Sequence, residues 1–267
     1  MKINEFIEKV KDLGIEITSE KLKQLEIYAS FLKEYNEHTN LTAITDIEGI
    51  YLKHFYDSLT LTKVIDLNTC KNLLDFGTGA GFPGMVIKIF FPSLKVTLLD
   101  SNNKKIKFLT ELKDKIYVDN LELINARVES LRNERLNYYD VVTARAVTNM
   151  PVLTELAMPL VKNDKYFIAM KGSNTEEIEN SKLAITKMHG EIEEIKTFSL
   201  SEEAGIRNII KIKKMKETTL NELRPYEKII KKPYKNWIIT CKATEIKLHV
   251  FSLLLRILFI KNINYKI

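Results

Sequence analysis

The run LLDFGTGAGFPG at residues 73–84 constrains the fold of this chain more than any other feature. Apolar residues lead into an acid, three alternating glycines follow, and a proline stands where a helix would begin. The pattern predicts a buried strand, a tight loop and a helix start. Because glycine has no Cβ, such a loop lets the backbone approach a nucleotide-like ligand closely.

The chain beyond residue 72 alternates between short apolar runs and helical patterns. We predict strands at 72–76, 95–100, 121–124, 139–144, 165–170, 191–198 and 206–213, and helices at 84–90, 103–115, 151–161 and 174–188. This alternation predicts an α/β fold with a mostly parallel, seven-stranded, doubly wound sheet. The last two strands have no long helix between them, which indicates an antiparallel hairpin at the sheet edge.

Helical spacing of apolar residues dominates the N-terminal quarter of the chain. Residues 3–13 and 19–36 read as helices, and residues 46–66 as one or two more. We therefore expect three parts: an N-terminal helical lobe at 1–66, a Rossmann-like domain at 67–236 and an atypical C-terminal extension at 237–267. The extension is rich in Ile, Lys, Asn and Leu, as expected of a frameshift or of translation beyond a normal stop.

The net charge of +6 is unevenly distributed. Segment 211–236 carries nine Lys/Arg and three Glu, whereas residues 1–210 are net acidic. A basic flank on an acidic body indicates contact with nucleic acid. A solvated lysine-rich surface would give the same pattern, so charge alone leaves both interpretations open.

The cysteine content and the apolar runs bear on where the protein works. Cys70 and Cys241 are the two cysteines of the chain, and their spacing matches no metal site or disulfide framework. The N-terminus has no signal-peptide core, and no apolar run reaches the ~18 residues of a membrane span. We therefore expect a cytoplasmic protein with no membrane partner.

Acidic residues at the ends of successive strands narrow the choice of ligand. Asp75 stands just before the glycine loop, where it would repel a pyrophosphate and attract a ligand with an ammonium and a sulfonium, such as S-adenosylmethionine. Asp100 ends the next strand, where an acid can accept both ribose hydroxyls, and Glu129 follows the third strand. The loop also fits the G-x-G-x-x-G pattern of dinucleotide sites, so a NAD-dependent oxidoreductase is the alternative.

The end of the predicted fourth strand bears on the acceptor. Enzymes that methylate amino groups commonly carry an Asn- or Asp-Pro-Pro-aromatic motif there, and cytosine-5 methylation needs a nucleophilic cysteine. This chain instead offers Arg145, with Lys171 at the end of the next strand. The ring nitrogen N7 of guanine needs neither a base nor a covalent intermediate, since it already carries a free lone pair. Arg145 suits a phosphate, guanine O6 or the cofactor carboxylate, although a buried structural ion pair is the simpler interpretation.

Several motifs in one order resemble the ribosomal RNA small subunit methyltransferase G family, also called glucose-inhibited division protein B. They are Asn40-Leu41-Thr42, His54-x-x-Asp57-Ser58, DFGTGAGFPG, LLDS followed by a Lys pair and Phe108-Leu109, TARAV, and Lys171-Gly172. The resemblance spans residues 1–236 and implies a Rossmann-like class I methyltransferase. It further implies methyl transfer from S-adenosylmethionine to N7 of guanine 527, in the 530 loop of 16S rRNA, by a cytoplasmic enzyme that acts on 16S rRNA or the small ribosomal subunit. We expect the protein to be a monomer.

The resemblance also implies roles for individual residues, and alternative functions remain open. Cofactor binding is expected of Asp75, Gly77, Gly79, Phe82, Asp100, Val128, Glu129 and Arg145, catalysis of Arg145 and Lys171, and substrate contact of His54, Asp57 and Ser58. A local ion pair that stabilises a helix would equally explain the His54 group. The alternatives are the NAD-dependent oxidoreductase, an inactive methyltransferase-fold RNA-binding assembly factor and a small-molecule methyltransferase.

Overall fold

A computed structural model describes residues 1–234, which belong to one compact unit. The predicted extension at 237–267 lies outside these residues. The N-terminal part is helical: α1 (Ile3–Asp12), α2 (Ser19–Thr39), and a continuous segment over 47–63. That segment joins α3 (Ile47–Gly49), a π-helical stretch (Ile50–Tyr56), α4 (Asp57–Leu59) and a 3-10 turn (Thr60–Lys63). Helix α2 begins where the Thr18 hydroxyl accepts from the Lys21 amide, and it ends at left-handed Asn40.

Seven strands form one sheet in the order β3-β2-β1-β4-β5-β7-β6. Their bounds are β1 (Asn72–Phe76), β2 (Lys95–Asp100), β3 (Leu121–Asn125), β4 (Tyr139–Arg145), β5 (Val161–Lys171), β6 (Gly190–Ser199) and β7 (Ile206–Lys214). The first five strands are parallel, and β7 pairs antiparallel with both β5 and β6. The mostly parallel sheet and the antiparallel hairpin edge predicted from the sequence are confirmed.

The remaining helices are α5 (Gly84–Phe90), α6 (Asn103–Ile116), α7 (Val128–Glu134), α8 (Met150–Ala157), α9 (Glu176–Lys187) and α10 (Tyr226–Lys231). The predicted helix 151–161 is too long, because a 3-10 turn follows α8 and β5 begins at Val161. Pro159 lies in that turn, where its missing N–H cannot continue the helix. Helices α7 and α10 were not predicted, because they are only seven and six residues long and, unlike the equally short α5, follow no glycine loop.

Each face of the sheet has its own hydrophobic core. The N-terminal helices share one core with α5 and α6, including Tyr28, Phe55 and Phe108. Helices α7 to α10 share the other, which includes Leu131, Leu156 and Ile229. The carboxyl ends of the parallel strands therefore open between two packed layers, where ligands bind in folds of this kind. Within residues 1–234, no helix is long and apolar enough to cross a membrane.

Candidate active site

The loop after β1 adopts a backbone that favours glycine. Gly77, Gly79 and Gly81 have φ values of 67°, 61° and 102°. A Cβ on Gly77 would lie 2.5 Å from Cγ2 of Val147, whereas a Cβ on Gly79 would meet no atom within 4 Å. The loop is thus packed against protein at Gly77 and open at Gly79, which forms a cradle for a ligand.

Asp75 supports this loop from the protein interior through hydrogen bonds. Its side chain is fully buried, and Oδ2 accepts hydrogen bonds from the Thr78 hydroxyl at 2.6 Å and the Gly84 amide at 2.8 Å. Burial raises the pKa of Asp75 to about 7, although both hydrogen bonds and Arg145 oppose that shift. Oδ1 has no hydrogen-bond partner in the part of the chain that the structure describes. The carboxyl group therefore holds the shape of the loop from the protein interior.

Asp100 stands at the end of β2, beside the loop. One carboxylate oxygen accepts from the Gly79 amide at 3.0 Å, and the other accepts from the Asn102 amide at 2.9 Å. Lys105 Nζ lies 3.5 Å from the first oxygen. Because each carboxylate oxygen has two lone pairs, Asp100 can still accept hydrogen bonds from hydroxyl groups while it holds the loop.

A cavity of about 230 Å³, here called the donor cavity, opens in front of Asp100. It is lined by residues from the ends of β1 and β2, from α7, α8 and α10, and from the segment after β4: Phe76, Gly77, Leu99, Asp100, Ser101, Arg127, Val128, Glu129, Val147, Thr148, Val152, Leu156, Tyr226 and Ile230. Val128 and Glu129, for which cofactor binding is expected from the sequence, both line this cavity. An acidic end for ribose and an apolar end for a purine suit S-adenosylmethionine.

A second cavity of about 360 Å³, here called the acceptor cavity, lies at the ends of β4 and β5. Its described lining is Ile44, Lys53, His54, Asp57, Arg145, Ala146, Met170, Lys171, Gly172 and Arg207. Among these residues, Asp57 is the acidic one and four are Lys or Arg. The cavity is therefore suited to an anionic or electron-rich ligand.

The two cavities share the segment that follows β4. Arg145 and Ala146 line the acceptor cavity, and Val147 and Thr148 line the donor cavity. Ala146 has a left-handed backbone with φ of 56°, which is uncommon for a residue with a Cβ. The chain turns at this residue, so four consecutive positions border both cavities, two positions on each.

Arg145 is held from three sides. Its Nη1 donates to Asp57 Oδ2 at 3.0 Å and to the Lys53 carbonyl at 3.1 Å, and Nη2 lies 3.3 Å from His54 Nδ1. The other oxygen of Asp57 accepts from Nε of Arg207 at 3.0 Å. Asp57 thus fixes two guanidinium groups at the rim of the acceptor cavity, and its own charge is neutralised by both.

His54 is a buried, neutral partner of Arg145. Its ring stacks on Phe82 with centroids 4.2 Å apart, and its Nε2 lies 2.8 Å from the Thr42 hydroxyl. Burial and then Arg145 lower the pKa of His54 to about 3. Since a guanidinium can only donate, Nδ1 is the acceptor in that contact and Nε2 carries the proton. His54 therefore orients Arg145 and does not serve as a base.

Phe82 links the glycine loop to the N-terminal helices. Its ring is stacked on His54 and on Tyr28, the latter with centroids 5.4 Å apart. The Tyr28 hydroxyl donates to the Ala80 carbonyl. Phe82 therefore shapes the loop from the protein interior and is absent from the described lining of the donor cavity.

Of the remaining predicted site residues, Lys171 lines a cavity and Ser58 is buried away from it. Lys171 lines the acceptor cavity, where its Nζ donates to the Thr148 carbonyl at 2.9 Å and lies 2.7 Å from Glu177. Ser58 is fully buried and donates to the His54 carbonyl at 2.6 Å, so it supports the helix and does not line the cavity. The predicted triplet on one helical face thus brings two side chains to the site, and the third faces the interior.

Sequence reasoning missed three parts of the site. Lys53 and Arg207 line the acceptor cavity, and α10 closes one side of the donor cavity. Lys53 directly precedes His54 in the sequence, which was a usable signal. Arg207 is the second residue of β7, and it comes into place because β7 inserts between β5 and β6.

The strand order, the glycine loop after β1 and the acid at the end of β2 define a class I S-adenosylmethionine-dependent methyltransferase. Residues 21–210 match the family model described as rRNA small subunit methyltransferase G. The chain belongs to this family. The NAD-dependent oxidoreductase and the inactive assembly factor are not supported by these findings.

Curated relatives agree with this assignment. The ribosomal RNA small subunit methyltransferase G of Bacillus subtilis is 44% identical over 221 residues, which cover 82% of this chain and 92% of that protein. The protein of the same name from Staphylococcus carnosus is 43% identical over 222 residues, with the same two coverages. The 16S rRNA (adenine(1408)-N(1))-methyltransferase of Catenulisporales acidiphilia superimposes with a TM-score of 0.47 at 12% identity, over 56% of this chain and 87% of that one.

Proposed function

We propose that the protein transfers the methyl group of S-adenosylmethionine to N7 of guanine 527 in 16S rRNA. Support comes from residues 145–148, which border both cavities, since a donor bound in one cavity would then lie next to an acceptor bound in the other. The family implies the RNA and the position. The basic lining of the acceptor cavity suits the phosphates and the O6 edge of a guanine.

The residues of the two cavities divide the work. Asp100 would hold the ribose, and the open cradle at Gly79 would hold the methionine part of the cofactor, which supplies an activated methyl group on a sulfonium. The N7 lone pair forms the new bond to carbon as the carbon–sulfur bond breaks, and the sulfur keeps that electron pair. No proton leaves the guanine, so the reaction needs no base, and neutral His54 and paired Asp57 fit this requirement.

Arg145 and Lys171 would position the acceptor. Their contacts to Asp57 and Glu177 fix both cations at the cavity, so little conformational freedom is lost when the RNA binds. The protein would therefore accelerate the reaction through orientation and exclusion of water.

Incubation of the purified protein with labelled S-adenosylmethionine and unmodified small subunits tests the proposal. Digestion of the RNA to nucleosides should give label in 7-methylguanosine. A parallel reaction with naked 16S rRNA shows which form is the substrate. Label in another nucleoside, or no label with a protein that binds S-adenosylhomocysteine, would contradict the proposed reaction.

A further inference from the structure

Helix α10 forms one wall of the donor cavity although it lies beyond the residues that match the family model. Tyr226 and Ile230 line this cavity together with Asp100 and Val128. Ile230 is 45% exposed, so its side chain borders the opening and is not part of the core. This wall therefore belongs to a segment that comes after the last strand in the sequence and folds back to the part of the donor cavity that suits a purine.

A buried ion pair attaches this segment to α8. Glu155 of α8 is 1% exposed, and its Oε2 lies 3.0 Å from Nε of Arg224. Its Oε1 accepts from the Tyr234 amide at 2.8 Å. Helix α8 also supplies Val152 and Leu156 to the donor cavity. The carboxylate therefore holds both ends of the returning segment against the helix that lines the site.

Arg224 also joins the start of this segment to its end. Its Nη2 donates to the Lys232 carbonyl at 2.7 Å, and its guanidinium lies 4.0 Å from the centroid of the Tyr234 ring. The Arg224 carbonyl accepts from Nη2 of Arg132 at 3.3 Å. These contacts order the turns on both sides of α10, which fixes where Tyr226 and Ile230 stand.

The inner surface of this wall is suited to a flat, apolar ring. The guanidinium of Arg127 lies 5.4 Å from the centroid of the Tyr226 ring and 3.5 Å from Glu129. Val128, Leu156 and Ile230 add aliphatic surface. A purine that enters beyond the ribose site of Asp100 would be bounded by these side chains.

We propose that residues 220–234 form a strap that closes the adenosine end of the donor cavity, and that Glu155 and Arg224 are positioning residues that set the affinity for S-adenosylmethionine. The proposal rests on the assignment of this cavity to the cofactor. Neither residue touches the reacting atoms. Their loss should weaken cofactor binding while the rate of methyl transfer at saturation stays close to that of the wild type.

Calorimetry of the full-length protein with S-adenosylhomocysteine, without RNA, tests the strap. Arg224→Gln should raise the dissociation constant about tenfold, since it frees the segment that carries the wall. Lys231→Gln is the matched control, because it removes the same charge from an exposed position of α10 and leaves the Glu155 contacts intact. Its dissociation constant should stay within about twofold of the wild-type value.

A second variant guards against misfolding. Arg224→Gln leaves Glu155 buried without its ionic partner, so the variant can lose stability for that reason alone. Ile230→Ser changes a half-exposed side chain, so the fold should survive, and it should raise the dissociation constant at least about threefold because it removes apolar surface from the wall. KM for S-adenosylmethionine should rise in parallel, with kcat within about twofold.

Hydrogen exchange separates a cofactor wall from a merely structural segment. In the wild type, S-adenosylhomocysteine should slow amide exchange in 226–231, and this protection should be lost in Arg224→Gln. Wild-type affinity in both Arg224→Gln and Ile230→Ser would overturn the strap and leave the cofactor assignment intact. A wild-type protein that binds no S-adenosylhomocysteine would overturn both.

Discussion

The carboxylate of Asp57 lies 3.0 Å from Nη1 of Arg145, and this ion pair joins the N-terminal helices to the end of β4. The second oxygen of Asp57 lies 3.0 Å from Arg207, at the start of β7. One buried acid therefore connects three regions that are far apart in the sequence. The positions of both arginines at the acceptor cavity depend on it.

Removal of Arg145 should abolish methyl transfer. We expect Arg145→Ala to lower the single-turnover rate at least about 100-fold, because the acceptor loses its positioning group. Arg145→Lys should recover only part of the rate, since one ammonium cannot reproduce the fork that meets Asp57, His54 and the Lys53 carbonyl. Circular dichroism should show an intact fold, and a wild-type rate in Arg145→Ala would refute the role.

Loss of the Asp57 charge should destabilise the protein more than loss of an exposed acid. Asp57→Asn leaves two cations facing each other, and we expect the free energy of unfolding to fall by about 3 kcal/mol. Glu179→Gln breaks the exposed pair with Lys182 and should change it by about 0.5 kcal/mol or less. Urea titration measures both values. Equal, small effects would show that Asp57 does not organise the site.

The close approach of Gly77 and Val147 should make Gly77 intolerant of a side chain. Gly77→Ala combines a positive φ with a 2.5 Å collision and should cost about 2 kcal/mol or more. Gly14→Ala has a positive φ in open space and should cost about 1 kcal/mol. Thermal unfolding measures the difference.

A compensating change checks the cause of that difference. Val147→Ala removes the colliding methyl group, so it should recover stability in the Gly77→Ala background. Binding of S-adenosylhomocysteine should fall in Gly77→Ala and stay unchanged in Gly14→Ala. Identical losses of stability in the two glycine variants would show that the contact with Val147 is unimportant.

The buried imidazole of His54 should make stability sensitive to acid. Its pKa is about 3 in the folded protein and near 6.5 in the unfolded chain. Between these pH values the unfolded chain binds a proton that the folded protein excludes, so the free energy of unfolding falls as the pH drops from about 6.5 towards 3.

Replacement of His54 by an uncharged side chain isolates this contribution. His54→Gln should be less stable than the wild type at pH 7, because the stacking on Phe82 is lost. The difference between the two proteins should shrink as the pH falls, since only the wild type carries the titrating group. Urea titrations at several pH values measure it, and parallel pH profiles would contradict a buried neutral His54.

Local sequence patterns were sufficient to predict most of the fold. The glycine run and the apolar runs predicted β1 and β2 correctly. Both elements are set by residues that are adjacent in the sequence, because a short apolar run forms a buried strand and a glycine-rich run forms a tight loop. The end of the helix before β5 was misplaced because the apolar run continues through Pro159 into the strand. The short helix α10 was missed because its position depends on Glu155, 69 residues away from Arg224 in the sequence.

Some residues of the site could be predicted from the sequence and others could not, because only some of them are positioned by local sequence patterns. Asp100 and Arg145 follow strands, so topology alone brings them to one edge of the sheet. Arg207 reaches the acceptor cavity through the insertion of β7 between β5 and β6, which no local pattern reveals. Lys53 could have been found from its place beside His54. The burial of Phe82 and Ser58 likewise depends on the N-terminal helices that pack over the loop.

The most direct test maps 7-methylguanosine in 16S rRNA by chemical cleavage at that nucleoside. RNA from cells that lack the gene is compared with RNA from cells that carry the wild-type gene or Arg145→Ala. We predict cleavage at guanine 527 with the wild-type gene, and none without the gene or with the variant. Cleavage at guanine 527 in the absence of the gene, or with Arg145→Ala at the wild-type level, would contradict the account.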